Sequence, residues 1–174
     1  MRHHRWSAAL ILVALAVPLA AAPAHAAPLD LTCAVGTETE SYSPGLRLFP
    51  QTVAVTVNRI YTGCVSASNP AVTGAVITGN AVAMKSCLDP IPAASNGSFT
   101  IPWNTGQSSV FTFNRTVVIV GGATVITRTG TISSGLFQGA TAINTTTLPL
   151  INPTACLFAP GVSSCGGTAT LILS

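Results

Sequence analysis

The sequence predicts an all-β fold: an antiparallel β-sandwich, Ig-like or jelly-roll-like, of roughly seven to nine strands stapled by disulfides. Three observations carry this. Apolar residues recur at every second position through most of the chain, turn residues (Gly, Pro, Asn, Ser) interrupt them about every 10 to 15 residues, and no stretch shows helical periodicity. Five cysteines supply the staples.

The chain begins with a different kind of segment. Arg2, His3, His4 and Arg5 form a basic start, an Ala-, Leu- and Val-rich run follows to Ala22, and Ala24-His25-Ala26 gives a small-x-small exit. This pattern predicts a cleavable secretory signal over residues 1–26 and one secreted domain over residues 27–174. The apolar run is shorter than the ~20 residues that span a bilayer, so no membrane span is expected after cleavage.

Each later element has its own signal. In residues 52–57, Val53, Val55 and Val57 alternate with Thr52, Ala54 and Thr56, the mark of a half-buried strand. Residues 72–84 place Val72, Val76, Val82 and Met84 in one phase, with Gly74 and Gly79 suggesting a bulge. Phe99, Ile101 and Trp103 alternate in the next strand; Phe111, Phe113, Val117 and Ile119 share a face in the one after. Gly121-Gly122 separates the β-branched runs 116–120 and 124–132, which predicts a tight hairpin because glycine accepts the positive φ that such turns need. Residues 135–147 continue the sheet and 168–173 close it. Between them, Pro149, Pro153 and Pro160 mark residues 148–160 as a long connection. A barrel satisfies the same pattern as a sandwich.

Composition narrows the function classes. All three histidines lie in residues 1–26; the remainder holds five Lys or Arg against four Asp or Glu, a formal charge of +1. Scattered arginines at that charge give no basic stripe for phosphates, so nucleic acid is not an expected partner. Without histidine there is no Ser-His-Asp triad, no Cys-His pair and no imidazole metal site. Lys85-Ser86 lacks the S-x-x-K spacing of a Ser-Lys pair. No catalytic residue, metal or cofactor is therefore expected.

In an oxidising compartment the five cysteines default to disulfides, with one thiol left over. Cys64 and Cys87 flank a strand pair and are the first candidates to join. Cys33 with Cys156, or Cys156 with Cys165, are the two options for the rest.

Two further constellations merit weighing. Glu38 and Glu40 are two residues apart, so in a strand they share a face at ~6–7 Å, a separation used by glycoside hydrolases; their polar surroundings, "GTETESYSPG", favour an exposed edge protected by charge. Trp103 is in phase with Phe99 and Ile101 and so suits the core or its rim. The sharper alternative makes Trp103, with Tyr42 or Tyr61, a stacking platform for a sugar ring, helped by Asn104 and Gln107.

The runs "LTCAVGTETESYSPGL", "GCVSASNP", "SCL", "IPWNTGQSS", "TGTISSGLFQGATA" and "LILS" resemble a group of uncharacterised secreted β-sandwich-like proteins of high-GC actinobacteria. The resemblance covers nearly all of residues 27–174. It implies recurring cysteines at positions 33, 64, 87 and 156, hence Cys33 with Cys156 and Cys165 free; it implies location and fold, and no activity. Together these readings predict a secreted, non-catalytic binding or structural domain whose partner is an extracellular protein or an envelope glycan. A carbohydrate-binding module using Trp103 is the first alternative, and a small glycoside hydrolase using Glu38 and Glu40 the second.

Overall fold

The computed structural model describes residues 29–88 and 94–174, without the side chain of Ala94; the signal expected over residues 1–26 lies outside them. The elements are β1 (Leu31–Cys33), β2 (Val35–Leu46), β3 (Gln51–Thr62), β4 (Val65–Ser66), β5 (Gly74–Lys85), β6 (Ala94–Pro102), β7 (Ser108–Val120), β8 (Ala123–Gly135), β9 (Thr141–Pro149), a 3-10 turn at Pro153–Cys156, and β10 (Val162–Leu173).

All pairings are antiparallel, and one sheet runs β5-β3-β2-β10-β9-β8-β7-β6, with β1 and β4 appended beside β10. Its two ends meet at a single bridge, Ala75 to Trp103. The sheet thus curls into a nearly closed, sandwich-like barrel. Closure stops there: β5 is exposed on both faces from Thr78 to Val82, beyond the bridge.

The predicted hairpin is present, with Val120 opposite Ala123 and Gly121 and Gly122 at φ 57° and 77°. In β2, Gly36 leaves room for the Tyr61 ring, since a Cβ there would lie 2.7 Å from a ring carbon. Inward positions fill the barrel in two clusters. The larger, towards the bridge, joins Leu31, Tyr61, Ile101, Trp103, Phe111 and Leu171 with others. The smaller, at the opposite end, joins Tyr42, Leu46, Val53 and Val55. Outward positions such as Thr37, Thr39, Thr56, Asn58, Thr129 and Thr131 are exposed.

Three sequence expectations need correction. The phase of β5 is inverted: Ala75 and Ile77 lie opposite the inward Tyr61 and Arg59 and are buried, while Val76, Val82 and Met84 lie opposite the outward Ile60, Ala54 and Thr52 and are exposed; only Val72, before the strand begins, is buried as expected. Strand β2 is no edge; it lies between β3 and β10, which turns Glu38 into the barrel with 1% of its surface exposed. The disulfides pair differently: Cys33 joins Cys64 and Cys87 joins Cys156, leaving Cys165 free.

Strand length explains the pairing. Strand β5 runs 12 residues between Cys64 and Cys87, roughly 40 Å of extended chain, whereas a disulfide needs Cα atoms within about 7 Å. Cys64 and Cys87 therefore sit at opposite ends of the barrel. The β1–β4 register, Leu31 opposite Ser66 and Thr32 opposite Val65, carries on to set Cys33 beside Cys64, with Cα atoms 4.1 Å apart. Cys156, in the turn after β9, meets Cys87 at the other end. A non-reducing peptide map is expected to recover the 33–64 and 87–156 cross-links, and removing either bridge is expected to cost about 2–4 kcal/mol in chemical denaturation.

Candidate binding cavity

Halfway along the barrel, strands β2, β3, β7, β8 and β9 each turn a polar side chain inward. Arg59 donates from Nε to Glu38 Oε2 at 2.6 Å, Thr146 donates its hydroxyl to the same oxygen at 2.7 Å, and Arg128 Nη2 stands 3.9 Å from Oε1. Arg128 also donates to Asn144 Oδ1 and Thr146 Oγ1, and Asn144 donates to the Tyr61 hydroxyl at 2.6 Å. The Arg59 guanidinium lies 5.3 Å from the centre of the Phe99 ring, in reach of its negative face.

This layer is electrostatically tense. Burial alone would raise the Glu38 carboxyl, but the hydrogen bond and charge of Arg59, the Thr146 hydroxyl and the Arg128 charge together hold it below its ordinary range. Burial, followed by the charge of Arg59, pushes Arg128 down to about 10, with Arg115 adding to the effect. Arg115 stands directly opposite Arg128 in the β7–β8 register, an unfavourable cross-strand pair of like charges.

Above this layer, at the end pinned by Cys87–Cys156, a cavity of about 340 Å³ opens. Its apolar wall includes Leu46, Val117, Ile119, Leu148, Leu150 and Ile151. Glu40, Tyr42, Lys85, Ser86, Thr124 and Cys165 supply the polar side chains. The Tyr42 hydroxyl donates to Glu40 Oε2 at 2.7 Å, and its pKa is raised by burial and by the Glu40 charge. Burial, then Glu40, also raises the Cys165 thiol. The β9–β10 connection forms part of the wall, and its disulfide ties it to the end of β5.

The cavity mouth is apolar and open to solvent. Leu88, Ile119 and Leu150 line it while exposing 63%, 68% and 47% of their surface. Phe49 and Phe158, on loops at the same end, are more exposed still.

The residues proposed from sequence for a sugar platform do not form one. Trp103 is 3% exposed, its ring meets Phe137 edge-on at 5.5 Å, and its Nε1 donates to Ser109 Oγ at 2.8 Å. Its faces are covered, as barrel closure requires of a side chain at the bridge. A shallow depression touches Trp103 on the seam between β5 and β6, but offers no ring face for stacking. Asn104 is occupied in shaping that seam: its Oδ1 accepts from the amides of Thr73 and Gly74 and its Nδ2 donates to the Ala71 carbonyl. Gln107 is exposed, with its carbonyl accepting from the Trp103 amide. Tyr61 is buried beside Asn144, and Tyr42 lines the cavity instead.

The Glu38 and Glu40 pair is likewise divided between two tasks. Glu38 is locked against Arg59, and Glu40 faces the cavity. Among the described residues, no three His, Cys, Asp or Glu side chains come together as a metal site, and no helix is long and apolar enough to cross a membrane.

No family model matches this chain, and no curated protein and no solved structure matches it. The reading of the site therefore rests on its geometry.

Proposed function

We propose that this chain is a secreted, non-catalytic binding protein that takes an apolar or amphipathic small molecule into the cavity at the disulfide-pinned end of its barrel. The observation that carries this reading is the cavity itself: it lies within the size range of small-molecule sites, is mainly apolar, and holds a few polar groups. The exposed Leu88, Ile119 and Leu150 at its mouth leave uncovered apolar surface that a ligand would bury. Secretion is supported by the signal-like residues 1–26 and by two disulfides. The resemblance to secreted actinobacterial proteins supports a site of action outside the cell or at the envelope.

The test is a titration of residues 27–174 with the neutral fluorescent probe N-phenyl-1-naphthylamine. Saturable one-to-one enhancement is expected, with loss of binding in Ile119→Trp and Thr124→Trp, which narrow the mouth at solvent-facing positions. Enhancement indifferent to both substitutions would overturn the cavity as the site. Cys87→Ser with Cys156→Ser is expected to weaken probe binding at least tenfold at a temperature where the variant stays folded, because the connection carrying Leu150 and Ile151 loses its tether.

A further inference from the structure

The charge distribution inside the barrel specifies the ligand further, on the footing that the cavity is a binding site. Six charged side chains take inward positions on their strands: Glu38 and Glu40 against Arg59, Lys85, Arg115 and Arg128. Glu38 is committed to Arg59. Glu40 and Lys85 line the same cavity and cancel in formal charge. The excess positive charge then resides on Arg115 and Arg128, opposite one another on β7 and β8.

These two arginines are not equally provided for. Arg128 donates to Asn144 and Thr146 and has Glu38 within 3.9 Å. Arg115 forms no salt bridge among the described residues, and its Nε is buried without a hydrogen-bond partner. A buried guanidinium N–H left unpaired beside another guanidinium is costly. Arg115 stands just beneath the cavity without lining it: Val117, the next inward residue of β7, forms the floor there, about 6–7 Å along the strand from the Arg115 backbone.

We propose that the ligand is a single-chain anionic amphiphile, whose acid head group is received by Arg115 and whose tail lies along Val117, Ile119, Leu148 and Leu150. A carboxylate at the cavity floor offsets the repulsion between Arg115 and Arg128, and the guanidinium beneath it is the donor group suited to such an acid. The volume of about 340 Å³ admits one medium-length chain. Among the described residues Glu40 is the one carboxylate lining the cavity, and one of its oxygens is engaged by the Tyr42 hydroxyl at 2.7 Å.

The test compares decanoate, 1-decanol and decyltrimethylammonium by calorimetric titration of residues 27–174. Decanoate is expected to bind at least about tenfold more tightly than decanol, as a charge-assisted hydrogen bond in a desolvated site affords, and the cationic amphiphile more weakly than either. Arg115→Gln is expected to abolish the preference for decanoate over decanol, and Arg115→Lys to retain part of it. Equal affinity for decanoate and decanol in the unaltered protein would overturn the proposal while leaving the cavity as an apolar site. A preference that persists in folded Arg115→Gln would overturn the assignment to Arg115. Failure of all three compounds to bind would remove the cavity reading itself.

Discussion

Replacing Glu38 with alanine is expected to destabilise the protein by about 3–5 kcal/mol, the cost of breaking a buried ion pair and leaving its partner unopposed. Arg59 loses its Nε acceptor, Thr146 loses its hydroxyl's acceptor, and Arg128 loses the nearest negative charge. At about 2–4 °C per kcal/mol for a domain of this size, the melting temperature falls by roughly 10 °C. Glu38→Gln separates charge from shape, because it keeps an acceptor oxygen but not the carboxylate. Its effect is expected to depend on pH in a definite direction. The folded protein holds Glu38 below its ordinary value of 4.5, so the unfolded chain takes up the proton first as pH falls. The stabilisation from this group is complete above the unfolded value and is lost as pH drops through the folded one. Thermal scans from pH 7 down to pH 2 should therefore show the unaltered protein converging on Glu38→Gln at the acid end. Parallel curves across that window would show that the carboxylate charge contributes nothing.

Trp103→Ala is expected to cost about 3–5 kcal/mol, in line with large-to-small changes in a packed core. The indole fills the one place where the ends of the sheet meet, and its loss removes the packing on Phe137 and the hydrogen bond to Ser109. Trp103→Phe, which keeps an aromatic ring, is expected to cost less than half as much. With residues 1–26 removed, Trp103 is the sole tryptophan, so its own fluorescence reports the result: blue-shifted emission, resistant to iodide, is expected from the folded protein. Iodide quenching comparable to free tryptophan would return the indole to the surface and reopen the sugar platform. Folded Trp103→Phe is also expected to bind decanol normally, since the cavity is at the far end of the barrel.

The strand pattern was readable because period two leaves a direct trace. Val53 and Val55, Phe111 and Phe113, and the Gly121-Gly122 turn all mark what the structure builds. The trace fails where burial is decided by a distant neighbour. Nothing local in "GTETESYSPG" reveals that β10 will pair with β2 along its other edge and convert Glu38 from a surface group into a core one. The same holds for β5, whose valines face solvent because its register with β3 sets Val76 and Val82 opposite the outward Ile60 and Ala54. Cysteine pairing is legible only through the length of the strand between Cys64 and Cys87, which holds those two residues at opposite ends of the barrel.

The polar layer carried a signal that went unused. Arg59 is in phase with Val53, Val55 and Val57, and Arg115 with Phe111, Phe113 and Val117, so both were placed on apolar faces by the periodicity that located the strands. An arginine in the inward phase of a strand must find a partner, and Glu38 is where Arg59 finds it. For Arg128 the clue is its phase with Ile126 and Ile132. The cavity itself has no such trace: Glu40 and Tyr42, Lys85, Leu148 and Cys165 come from four strands and meet only through the curl of the sheet.

The measurement that bears most directly on this account is a backbone and methyl NMR titration of residues 27–174 with 1-decanol, whose neutral head group leaves the role of Arg115 aside. Binding in the cavity predicts shifts confined to Val117, Ile119, Thr124, Leu148 and Leu150, with Trp103, Asn104 and Gln107 unmoved. Shifts centred on Trp103 and the seam between β5 and β6, or none at any of these positions, would contradict it.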